Sequence, residues 1–299
     1  MSLLNLTNDG IPNILVVLYA TLAKARSPMT AQELLDTVAP DTVVRDQRLA
    51  RATLNRWIEL GLFKVKPAAE TLTLDRVPET DMKSETDIVR AVRVAARRVA
   101  LSKENNEDLW AQEEARAADL SRSLAWLLAQ DVYRLGDQNL FTLASDHLIG
   151  TNATLMQNEA RVSGLKSWGH FLGFIRHAGA VEVDPTLAIV EVLPQCIAPG
   201  EEMPARDLVE RIAQALPVID GGTYRVAVQS RLRANALPPL QAGQLSTSLS
   251  RAMFGFLLDQ SLQFENRADS GSSIVLTGRD GLRADHRYSW VRRPRGSAR

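Results

Sequence analysis

Cysteine occurs once in the 299 residues, at Cys196. One thiol excludes an internal disulfide and a cysteine-built zinc site, and the scarcity suits a reducing compartment. A buried apolar filler is a simpler reading of it than a nucleophile. Excess charge is also missing, because 35 Lys and Arg face 35 Asp and Glu. That excludes a surface coated in cations for indiscriminate nucleic-acid binding and leaves room only for local basic patches. No apolar run reaches the ~20 residues of a membrane span, so no membrane partner is expected. The most apolar N-terminal stretch, residues 11–25, has Asp9 ahead of it and no Lys or Arg before Lys24. A signal peptide begins with a basic region, so a cytoplasmic protein is expected.

Catalytic and ligand-binding motifs are absent as well. No phosphate-binding GxxxxGK[ST] or GxGxxG follows a strand, and there is no GxSxG. Asp220-Gly221-Gly222 and Gly278-Arg279-Asp280-Gly281 read as turns. Of the four histidines, His147, His170, His177 and His286, the two nearest are seven apart. Helical metal pairs sit at i, i+3 or i+4 beside a carboxylate. No metal, no cofactor and no enzymatic step is therefore expected.

What is present is a chain with the 45% apolar and 23% charged content of an ordinary globular protein. Residues 45–75 organise it. Ahead of them, Asp9 and Pro12 mark a helix start, with Ile14, Leu15, Val17, Leu18 and Leu22 at helical spacing. Thr30 with Glu33 is a capping box for a short helix over residues 31–38. The next helix, residues 46–60, carries Leu49, Thr53, Leu54, Trp57 and Ile58 on one side and Arg48, Arg51, Asn55 and Glu59 on another. Gly61 ends it. Leu62, Val65, Leu72 and Leu74 then flank Pro67-Ala68-Ala69-Glu70, a hairpin loop. Three helices followed by a hairpin is the order of a winged helix-turn-helix, whose third helix enters the major groove when it binds DNA. Arg45, Arg48, Arg51, Asn55, Arg56, Lys64 and Lys66 are the expected DNA-binding residues. Between Arg45 and Lys66 six basic residues oppose two acidic ones, a local balance of +4. Arginines opposite an apolar face also describe a plain solvated surface, and winged helices serve as protein-binding modules. Both readings stand at this point.

The expected architecture is mainly α with small β-hairpins: tandem winged helix-turn-helix domains joined by a helical segment. The boundaries are 1–78 for the first module, 79–150 for the helical segment, 151–200 for a second winged-helix-like domain and 201–299 for a third with a basic tail. In the helical segment Ser84 and Asp87 form a start signal. Arg90, Arg93 and Arg97 share a face that could track phosphates, or could cover apolar surface with their stems. Residues 109–133 are expected to be helical, with Trp110 and Trp126 in the core. In the second module residues 188–193 are expected to pair back as a strand after Val181 and Val183. In the third, a helix over 245–258 precedes strands around Phe264 and 274–276. From Arg279 to Arg299 seven arginines oppose two aspartates, with Tyr288 and Trp290 interleaved. That tail reads either as a nucleic-acid grip or as a solubilising end.

Ser2-Leu3-Leu4-Asn5 followed by Asp9-Gly10-Ile11-Pro12-Asn13 resembles the start of the DpdG family. Those proteins are encoded in bacterial gene clusters that place 7-deazaguanine derivatives in DNA and restrict unmodified DNA. The resemblance implies an accessory part of a DNA modification and restriction, or anti-phage, system. It implies a non-enzymatic DNA-binding or assembly subunit whose partners are double-stranded DNA and the other subunits of the system. A scaffold that binds only proteins and a transcriptional regulator are the alternatives. No functional residue is carried over from the family.

Overall fold

The computed structural model describes residues 3–5, 10–44, 46–76, 82–112, 115–136, 138–150, 153–176, 181–267, 272–279 and 281–295. Among them are eleven helices and eight short strands, so the protein is mainly helical with small antiparallel sheets. No helix among the described residues is long and apolar enough to cross a membrane. The chain divides into two compact units, Met1–Ser121 with Met156–Leu172, and Arg122–Leu155 with Gly173–Arg299.

The first unit starts with α1 (Pro12–Lys24), which buries Leu15, Leu18, Tyr19 and Leu22 at helical spacing. Strand β1 (Met29–Thr30) leads into α2 (Ala31–Val38). The Thr30–Glu33 box forms as its spacing requires: Thr30 Oγ1 accepts from the Glu33 amide at 3.2 Å, and the Thr30 amide donates to Glu33 Oε2 at 2.7 Å. The Thr30 amide, and after it the Thr30 hydroxyl at 3.0 Å, both donate to Glu33 Oε2 and hold that carboxyl below its ordinary pKa. Helix α3 (Arg48–Glu59) follows, and then β2 (Phe63–Lys66) and β3 (Thr71–Leu74). Gly61, at φ +90°, closes α3 with paired bonds, Gly61 N to Ile58 O and Leu62 N to Trp57 O. A left-handed residue at this position is what lets both carbonyls be satisfied, and glycine adopts it without penalty. The sheet order is β1-β3-β2, antiparallel throughout, with Met29 opposite Leu72 and Phe63 opposite Leu74. β1 is too short to leave a sequence pattern.

Helix α4 (Glu85–Ala100) begins at the Ser84–Asp87 box. The stretch after it does not continue as the long helix expected over 109–133. The described residues between Leu101 and Ala117 are turns and bends without a helix, and α5 spans only Ala118–Ala129. Two buried amides explain the difference. Asn105 Nδ2 donates to Leu60 O at 2.8 Å and Val99 O at 2.9 Å, and Asn106 Nδ2 donates to Ala100 O and Ser102 O at 2.7 Å each. They satisfy the last carbonyls of α3 and α4, which a helix would otherwise leave orphaned. The first residues of the chain also belong to this unit. Leu3 and Leu4 are buried, and the Leu4 amide donates to Asp119 Oδ2 at 3.3 Å. A side-chain carbon at Gly164, on α7 (Ala160–Phe171), would collide with the Leu4 carbonyl, and one at Gly10 would collide with Thr53.

The second unit holds α6 (Leu140–His147), α8 (Thr186–Cys196), β4 (Glu202–Pro204), α9 (Ala205–Ala215), α10 (Thr223–Gln229), α11 (Thr247–Leu258), β5 (Gln263–Glu265), β6 (Ile274–Gly278), β7 (Gly281–Tyr288) and β8 (Trp290–Arg292). Its residues 188–193 are helical, which corrects the expected returning strand. Ala188, Ile189, Val192, Leu193 and Cys196 form the buried side of α8. Their spacing suits a helix as well as a strand, and Asp184 starts the turn by accepting from the Thr186 amide at 3.0 Å. Only an isolated bridge joins Ile175 to Val183. Residues 177–180, just ahead of Val181, lie outside the described residues. The third expected repeat is corrected too. β5 pairs with β8 and β6 with β7, so the strand around Phe264 does not pair with the one over 274–276. The expected returning strand over 188–193 is thus a helix, and the hairpin that follows α11 is β6–β7 rather than the one expected between Phe264 and 274–276.

Cys196 is buried, and that burial pushes its thiol up to about 11. At neutral pH its reaction with an aromatic disulfide reagent is expected to run at least about two orders of magnitude slower in the native protein than in denaturant. Comparable rates in the two states would contradict a thiol packed as an inert core group.

Candidate nucleic-acid interface

The helical period of α3 sorts its side chains cleanly. Thr53, Leu54 and Trp57 are buried, while Arg48, Arg51 and Asn55 are exposed. The three exposed residues are at i, i+3 and i+7, so they form one face about 10 Å long at 1.5 Å per residue. That is close to the ~12 Å width of the DNA major groove. Asn55 makes no side-chain hydrogen bond among the described residues, which leaves its amide open to solvent. Arg48 is 76% exposed, with Asp46 at 3.7 Å from its Nε. The first turn of α3 carries no acidic residue. Asp46, just ahead of the helix, accepts from the Arg48 amide at 2.7 Å and caps that end, so the positive character of the face comes from the exposed guanidiniums and not from the helix dipole.

The other expected contacts divide. Arg45 lies outside the described residues. Lys66 is exposed at the end of β2. Lys64 is exposed but engaged, with Nζ 2.6 Å from Asp75 Oδ1, and Arg98 reaches Asp75 Oδ2 at 2.7 Å. The Lys64 hydrogen bond, ahead of the Arg98 one, holds the Asp75 carboxyl below its usual range against the opposing effect of partial burial. Arg56 leaves the set: it is 3% exposed and donates from Nη1 to Glu59 Oε2 at 2.9 Å. An arginine eight residues into α3 follows the exposed face in sequence terms, yet it points inward. Arg97 does the same. Its Nη1 donates to Leu172 O at 3.0 Å, at the end of α7, so the supposed phosphate ridge on α4 has a gap at its third position. Among the described residues the tail packs back into the second unit. Arg293 pairs by backbone with Glu201, and Trp290 lies under the Arg267 guanidinium at 4.2 Å. His177 lies outside the described residues, and among those described no cluster of three His, Cys, Asp or Glu could hold a metal.

Sequence reasoning missed the groups that hold this face. Arg51 Nη2 donates to Gln32 Oε1 at 2.9 Å, and Gln32 Nε2 donates to Asp36 Oδ1 at 2.7 Å. Gln47, the residue before α3, donates to the same Asp36 oxygen at 3.0 Å and to Ala39 O at 2.9 Å. The one sequence signal was the i, i+4 pair Gln32 and Asp36 on the polar side of α2.

Residues 1–270 match the family model described as DpdG-like. The chain belongs to the DpdG-like family. The match extends far past the dozen N-terminal residues that first carried the resemblance and takes in the whole α3 face. No curated protein and no solved structure matches the chain. Membership in the DpdG-like family suggests a component of the Dpd system, with the system's other subunits as partners.

Proposed function

We propose that the chain is a non-enzymatic DNA-binding and assembly subunit of a bacterial DNA modification and restriction system, acting in anti-phage defence. In this reading residues 12–74 form a winged helix-turn-helix, α3 lies in the major groove of double-stranded DNA, and the β2–β3 hairpin lies along the adjoining backbone. The observation that carries it is the α3 face: Arg48, Arg51 and Asn55 are exposed together beside a three-stranded sheet ordered β1-β3-β2. Arg48 and Arg51 supply base and phosphate contacts, Asn55 a base contact, and Lys66 a phosphate contact from the hairpin.

The test is duplex binding across a salt series. Arg48→Ala with Arg51→Ala is expected to weaken binding at least about tenfold and to flatten the slope of log affinity against log salt by about one to two. Both side chains are exposed and only surface contacts are lost, the Arg51 bond to Gln32 and the Arg48 pair with Asp46, so the melting temperature should move little. Affinity unchanged by the pair would remove α3 as the interface. The pairing of Lys64 with Asp75 favours a second reading, in which the hairpin's charge is spent internally and the module holds a partner subunit. Co-purification with a neighbouring gene's product, with no duplex binding at low salt, selects that reading.

A further inference from the structure

Arg51 stands at the centre of the α3 face. Of the three exposed side chains it is the one held from another helix. The relay behind it runs Arg51, Gln32, Asp36, Gln47, and ends on the backbone carbonyl of Ala39. Each amide in it has one workable orientation. Gln32 must turn its oxygen to the guanidinium and its nitrogen to the carboxylate, since neither swap leaves a donor facing an acceptor. The relay is held on α2 by Gln32 and Asp36 and tied just ahead of α3 by Gln47, which ends on the Ala39 carbonyl. The group touching Arg51 is a neutral amide, with the carboxylate one step removed, so Arg51 is held by a hydrogen bond and not by an ion pair. One of its five N–H donors is taken by Gln32, and the rest of the planar fork remains for a ligand.

A fixed donor fork on an exposed major-groove face has a defined complement. Guanine offers two acceptors there, O6 and N7, spaced for a bidentate arginine, while adenine offers an acceptor beside a donor. We infer that Arg51 is the specificity-determining side chain of this face, set by the Gln32–Asp36 relay to read the O6/N7 edge of a guanine in duplex DNA. This rests on the DNA-binding reading above. Gln32 and Asp36 are then positioning residues: they touch no base, and they shape the preference through Arg51.

The experiment uses the full chain and a pool of randomised duplexes. Selected duplexes are expected to share a guanine. Replacing that guanine by 7-deazaguanine, which keeps O6 and base pairing but has carbon in place of N7, should weaken wild-type binding about fivefold or more. Arg51→Ala should lose a similar factor and become indifferent to the replacement. Gln32→Ala and Asp36→Ala should lose about threefold at the guanine duplex with an unchanged salt slope. Asp36→Asn keeps the accepting oxygen and should behave as wild type. If the relay only ties α2 to α3, Gln32→Ala will leave the guanine preference intact, which overturns the positioning role. Binding with no shared guanine, or a 7-deazaguanine penalty that persists in Arg51→Ala, overturns the guanine assignment and leaves groove binding standing. No duplex binding at low salt removes the reading beneath it. Should a relay variant fold poorly, the exposed Arg51→Ala decides the guanine assignment by itself.

Discussion

Arg225→Ala is expected to destabilise the second unit by about 3–5 kcal/mol, the cost typical of breaking a buried charge pair from one side. Arg225, on α10, is 1% exposed, with Nη2 at 3.2 Å from Asp220 Oδ1 and Nη1 donating to Ala125 O at 3.3 Å. Burial lowers its pKa, and Asp220 opposes that shift. Asp220 also accepts from the Ser246 amide at 2.6 Å and the Ser246 hydroxyl at 2.7 Å, at the cap of α11. Truncation leaves that carboxylate without its cation and removes the guanidinium bond to the Ala125 carbonyl. It also enlarges a cavity of about 370 Å³ that Arg225 already lines. A thermal scan should show a midpoint lower by about 10 °C. The companion variant separates charge from packing. In Arg225→Met with Asp220→Asn no buried charge remains, and the asparagine oxygen still accepts from Ser246, so most of the loss should return. A double variant as unstable as Arg225→Ala would mean that shape, and not the stranded carboxylate, sets the cost.

Trp57→Ala is the second large effect, again about 3–5 kcal/mol, this time in the first unit. Trp57 is fully buried on the inner side of α3, its ring 5.4 Å from that of Trp168 on α7. An indole-sized void there cannot close easily, because Trp168 is itself fully buried and leans edge-on against Phe171. The tilted contact of the two indoles adds to the burial term. The variant should lose DNA binding and melting temperature together. Arg48→Ala with Arg51→Ala should lose binding alone. Circular-dichroism melts run beside the binding series would show this contrast. A Trp57→Ala protein that melts like wild type would place the strength of the first unit elsewhere than at this helix pair.

The parts of the fold that were legible are those written locally. The Thr30–Glu33 and Ser84–Asp87 boxes, Pro12 in a first turn and Gly61 past the end of α3 each act within about four residues. Their elements stand within a few residues of where the sequence places them. The amphipathic period of α3 likewise told which side Arg48, Arg51 and Asn55 occupy. What failed depends on distant partners. Ile189, Val190 and Val192 are β-branched and short in sequence, so they suggested a strand. The core of the second unit takes them as a helix because their buried set also fits a 3.6 period. Arg56 and Arg97 look like surface charge until the groups that receive them are placed, and the acceptor of Arg97 is 75 residues away. Arg225 carries no local mark of burial in Tyr-Arg-Val-Ala-Val. Within the candidate site, the face was readable and its support was not, since Gln32 meets Arg51 across 19 residues.

The burial of Leu3 and Leu4 sets an order of events during synthesis. Both leave the ribosome well ahead of Gly164, which packs on the Leu4 carbonyl and is made 160 positions later. At ~5–20 residues per second the N-terminal segment waits on the order of ten seconds or more for its neighbour. During that interval the nascent chain has made residues 122–155, which belong to the other unit. Neither unit can finish as a block while it is being translated: the first closes only after α7 emerges, and the second only after β8. Ribosome-profiled proteolysis or pulling on stalled chains would therefore find the α3 face presented before its own core is complete, a window in which a chaperone or a partner subunit could engage it.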